Sequence, residues 1–117
     1  MKDTVKIRNL NRRRSRRARA KTWVQAECRP GGYGLGPNLS QRVLDLSETG
    51  VRLIVREPLE VAAEVEIILS AYGLTRPLKR VGVVRWQLSL DDGHFCVGIE
   101  FQRPLPYREL LVLVRGD

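Results

Sequence analysis

The chain has 117 residues, of which 43% are hydrophobic and 29% charged, which allows one modest core and leaves no room for a second domain. That composition is ordinary for a globular protein and excludes a disordered chain, and no apolar run approaches the roughly 20 residues that a bilayer-spanning helix requires. Residues 1–21 hold ten Lys or Arg against one acid, Asp3, whereas the remainder holds eleven bases and twelve acids, so a near-neutral body carries a basic arm suited to capturing phosphates.

In chain order, residues 1–19 read as that arm and residues 20–117 as the folded body. Thr22, Val24, Ala26 and Cys28 alternate with Lys21, Trp23, Gln25 and Glu27, which predicts a first strand over 21–28. Gly31, Gly32, Gly34, Gly36 and Pro37 then break it into a loop. Two short strands, 40–45 and 51–56, flank Leu46-Ser47-Glu48-Thr49-Gly50, which reads as a turn. A further strand is expected over 64–70, followed by a hairpin of 77–88 and 94–101 joined across Asp91-Asp92-Gly93. After Pro104 and Pro106, the run 107–114 fits either a short helix or a final strand. About six short strands with turns between them point to an all-β fold, a small six-stranded antiparallel barrel that leaves few exposed edges.

Little in the chain suits catalysis. His94 and Cys96 share a strand face and, with Cys28, make three potential zinc ligands, but structural zinc favours four ligands and closely spaced pairs. Asp91 and Asp92 fall in a turn, where aspartate bonds local backbone. The glycine-rich loop lacks the following helix that would make it a phosphate cradle. A binding protein without a cofactor is expected rather than an enzyme. Arginines where a secretory leader needs an apolar stretch, and two cysteines without a spacing motif, point to a cytoplasmic protein with reduced thiols.

Two constellations remain. The first is Arg12-Arg13-Arg14-Ser15-Arg16-Arg17-Ala18-Arg19. A guanidinium is a planar fork of donors that meets a phosphate or the O6/N7 edge of guanine in bidentate fashion and also stacks on a base. The second is Asp45-x-Ser47-x-x-Gly50. An R-x-x-x-R element before the first strand and D-x-S-x-x-G between the second and third resemble the two-part signature of PilZ domains. Gly82-Val83-Val84-Arg85-Trp86 and Val97-Gly98-Ile99-Glu100-Phe101 are similar to that family's G-x-V-x-W and V-G-I-x-F strands, so the resemblance covers nearly all of residues 12–101.

The resemblance implies a PilZ-like split barrel with a short C-terminal helix and, as ligand, the bacterial second messenger cyclic di-GMP. It implies a ligand-binding set of Arg12, Arg13, Arg14, Arg17, Asp45, Ser47 and Gly50. Arg13 and Arg17 would clamp phosphates and guanine edges, Asp45 and Ser47 would read a guanine, and Gly50 would leave clearance for the ligand. The arginine cluster allows two registers, Arg12 with Arg16 or Arg13 with Arg17, and the second stands closer to the first strand. In that register Arg12 occupies the position that goes with two stacked ligand molecules per chain. The arm is expected to close over bound phosphates and so signal to a downstream protein partner. Two other readings stand beside this one: a nucleic-acid-binding barrel that uses the same arm, and a PilZ-like interaction module with weak ligand binding.

Overall fold

The computed structural model describes residues 17–115. Arg12, Arg13, Arg14 and Arg16 lie outside the described residues, and the choice of arginine register and the stacking position at Arg12 lie there with them. Seven strands follow in order: β1 (Ala18–Arg19), β2 (Gln25–Pro30), β3 (Ser40–Leu46), β4 (Gly50–Val55), β5 (Glu64–Ser70), β6 (Leu78–Ser89) and β7 (Phe95–Phe101). A helix, α1 (Tyr107–Leu113), closes the chain. The strands form one antiparallel sheet in the order β1-β3-β4-β7-β6-β5-β2.

Alternation along the strands decides which side of this sheet becomes the interior. On β4, Val51, Leu53 and Val55 are buried while Arg52 and Ile54 face outward; on β5, Val65, Ile67 and Leu69 are fully buried. Val84, Val97, Ile99 and Phe101 complete the same core from β6 and β7. Each such side chain contributes roughly 1.5–3 kcal/mol when withdrawn from water, which requires the sheet to curl around its apolar face. Curling brings β2 back to β3. Leu39 N–H donates to the Cys28 carbonyl at 2.8 Å, and Asn38 Oδ1 accepts from the Cys28 and Ser40 amides at 2.9 and 3.1 Å. The barrel is therefore laced at one end of this seam, in agreement with the all-β barrel predicted from the sequence.

Three details differ from the sequence reading or complete it. The described residues form seven strands and not six, because the end of the basic arm pairs with β3 as β1, Ala18 opposite Leu46 and Arg19 opposite Asp45. The first long strand begins at Gln25 and not Lys21, since Lys21 to Val24 form a turn closed by Val24 N–H on the Lys21 carbonyl at 3.1 Å. Of the two options for 107–114 the helix is the one formed; Pro106 enters it extended, and Leu110 and Leu113 turn into the barrel core. The end of α1 is tied to the arm: Lys21 N–H donates to Leu113 O at 2.9 Å, Arg115 N–H to Arg19 O at 2.8 Å, and Ala20 bridges Val114.

Candidate functional site

The turn between β3 and β4 is held by its own side chains. Ser47 N–H donates to Gly50 O at 2.9 Å, and the Ser47 hydroxyl accepts from Thr49 N–H at 3.2 Å. Two carbonyls of the turn are taken up elsewhere, Thr49 O by Phe101 N–H at 2.8 Å and Glu48 O by Leu105 N–H at 2.7 Å. The loop is thus anchored from both sides, and Asp45, two residues before Ser47, leaves β3 in a fixed direction. Gly50 is needed here for a reason different from the one predicted. A Cβ at Gly50 would stand 2.5 Å from the Ile99 carbonyl oxygen, so the close approach that demands glycine is that of β7. Ser47 is buried, with its hydroxyl oxygen engaged in the turn.

Strand register places one row of residues across the sheet: Arg19, Asp45, Arg52, Gly98 and Trp86 are successive cross-strand partners from β1 through β3, β4 and β7 to β6. The Trp86 indole fills the space that a side chain at Gly98 would occupy. Asp45, only 8% exposed, is an outward-facing carboxylate buried within this row. Its Oδ2 meets Arg52 Nη2 at 2.6 Å, while its Oδ1 and the Arg52 Nε are buried without a hydrogen-bond partner among the described residues. Buried polar atoms are normally paired, so an orphaned acceptor and an orphaned donor side by side mark a place built for something further.

Beside this row opens a groove of about 590 Å³ at the unlaced end of the β2–β3 seam. Five cationic side chains border it, Arg19, Lys21, Arg42, Arg52 and Arg115, against the single carboxylate of Asp45. Such a concavity favours an anion, and its arginines favour one with planar or phosphate oxygens. Arg17, exposed and one residue before β1, belongs to the same neighbourhood. Burial holds the Cys96 thiol above its ordinary value. The residue that β1 sets opposite Asp45 is Arg19, two residues after Arg17.

Of these groove cations, the sequence reading named Arg19 within the arginine run but not in the ligand-binding set, and it singled out none of Lys21, Arg42, Arg52 and Arg115 for binding. Arg52 was within reach, because it sits two residues after Gly50 on the outward phase of β4, opposite Asp45 across a tight turn. Arg115 carried no signal, since its placement depends on where α1 ends. Cys28, His94 and Cys96, weighed as zinc ligands, do not gather: Cys28 lies in the barrel core, His94 pairs with Asp92 at 3.0 Å, and no group of three metal-binding side chains occurs among the described residues.

No curated protein matches the sequence. Among solved structures, the fold is similar to the K. pneumonia MrkH–c-di-GMP complex, with a TM-score of 0.60 and 19% identity over 87% of this chain. This chain spans about half, 49%, of that one. The family model for the PilZ domain matches residues 11–115, a span that runs from the arm through every strand to the end of the helix, and the chain accordingly belongs to the PilZ domain family.

Proposed function

We propose that this protein is a cyclic di-GMP receptor whose ligand lies in the cationic groove with a guanine at Asp45. The observation that carries this reading is the buried Asp45 carboxylate, one oxygen without a hydrogen-bond partner among the described residues, at the border of a groove lined by five cations. A guanine offers N1–H and N2–H donors to such a carboxylate, and the messenger's two phosphates answer the surrounding guanidinium groups. The PilZ family and the likeness to a structure solved with c-di-GMP support the same ligand. Arg12, Arg13, Arg14 and Arg17 supply phosphate and guanine contacts from the arm; Asp45 and Ser47 belong to the guanine side, and Gly50 sets the turn that presents them. Closure of the arm over bound phosphates is the signal passed to a partner.

Calorimetric titration with cyclic di-GMP, GTP and a short oligonucleotide in parallel tests the proposal. Selective saturation by the cyclic dinucleotide, at two molecules per chain, is the expected result, and Arg12→Leu should shift the ratio towards one. Binding to the oligonucleotide alone, falling steeply with salt, would assign the arm to nucleic acid instead.

A further inference from the structure

Resting on the messenger reading, one feature of the groove goes beyond it. Both Asp45 oxygens are engaged or covered: Oδ1 is buried, and Oδ2 is paired with Arg52 at 2.6 Å. A guanine that is to place two N–H donors on this carboxylate finds it covered. The cover is an imperfect one. Arg52 meets Asp45 through Nη2, and its Nε is buried without an acceptor, so the two-pronged contact of which a guanidinium is capable is not made.

The Arg52 side chain is 41% exposed, against 11% for Asp45, and it borders the groove together with Arg19, Lys21, Arg42 and Arg115. While the groove holds no anion, those neighbours repel its charge and Asp45 is its best partner. A phosphate among them reverses this balance.

We propose that Arg52 is an exchangeable cap on Asp45. In the free protein its guanidinium occupies the carboxylate; on binding, it moves to a messenger phosphate and frees both Asp45 oxygens for guanine N1–H and N2–H. Charge balances on each side of the exchange. The carboxylate trades a cation for two neutral donors in a low-dielectric setting, and the cation trades the carboxylate for a phosphate. Arg52 is thus both a ligand-binding residue and the gate to the guanine reader.

Stopped-flow binding of cyclic di-GMP to the wild-type chain and to Arg52→Gln separates these roles. In the wild type the observed rate should level off at high ligand concentration, because the exchange of Arg52 from carboxylate to phosphate is a unimolecular step that limits guanine docking. In Arg52→Gln the plateau should disappear and association should quicken, while dissociation speeds up about tenfold for want of the phosphate contact. A thermal melt establishes that the variant is folded; should it not fold, Arg52→Lys, with a shorter point charge, should still associate faster than wild type. Rates rising linearly and alike in wild type and folded variant, or slower association without Arg52, overturn the cap while leaving the messenger reading intact. Absence of cyclic di-GMP binding by the wild type overturns both.

Discussion

In the proposed receptor, single-residue effects concentrate on Asp45 and Arg17. Asp45 is aimed by a turn whose polar groups are bonded within it or to the backbone of Phe101 and Leu105, and a charge-assisted hydrogen bond in such a setting is typically worth about 1.5–3 kcal/mol. Asp45→Ala and Arg17→Ala are each expected to weaken cyclic di-GMP about tenfold to a hundredfold while the barrel stays folded; calorimetry and a thermal melt on the same samples check both halves. A second residue-scale consequence lies in the core. Burial pushes the Cys28 thiol up to about 12 from 9.0, and the side chain is fully buried. A thiol is neutral when protonated, so a folded-state value above the unfolded one stabilises the protein fully below about pH 9 and progressively less as pH rises towards 12. The melting temperature should therefore fall between pH 9 and pH 11, and less so in Cys28→Val. An equal fall in both proteins would assign the loss to other groups.

At the level of elements, β5 was the most legible part of the sequence and β1 the least. The span of β5 was read as Glu64–Ser70, and the structure has those bounds, because Val65, Ile67 and Leu69 alternate with partners on the outer face and Gly or Pro is absent from the run. β1 is two residues within a basic run, Ala18 and Arg19, and is a strand only because the exposed edge of β3 is there to pair with it. No local pattern encodes that. Arg52 is intermediate: its outward phase beside the turn is visible in the sequence, whereas its ion pair with Asp45 also depends on the irregularity between Val43 and Asp45. The β3–turn–β4 hairpin also gives a test that separates packing from ligand clearance. Gly50→Ala places a methyl group 2.5 Å from Ile99 O, and overpacking against backbone costs about 1–3 kcal/mol. The urea midpoint should drop accordingly. A variant as stable as wild type that binds ligand less well would return Gly50 to the role of making room for the ligand.

Across the whole molecule, the groove sits where three parts of the chain meet: the arm through β1, the sheet through β3 and β4, and the C-terminus through Arg115 beside α1. The antiparallel barrel and the D-x-S-x-x-G turn could be anticipated, whereas the strand order and the gathering of cations from β1, β4 and Arg115 came only with folding. A second depression, of about 400 Å³, lies between the β5–β6 loop and α1, bordered by Leu74, Arg76, Arg108 and Val112. It provides the internal control for the central claim. Titration of the ¹⁵N-labelled chain with cyclic di-GMP, followed by amide chemical shifts, is the most direct test. The account predicts that the largest changes fall on Arg17 to Lys21, Arg42 to Asp45, Arg52 and Arg115, with Leu74, Arg76 and Arg108 little affected; changes confined to the second depression, or none at Asp45 and Arg52 at saturation, would contradict it.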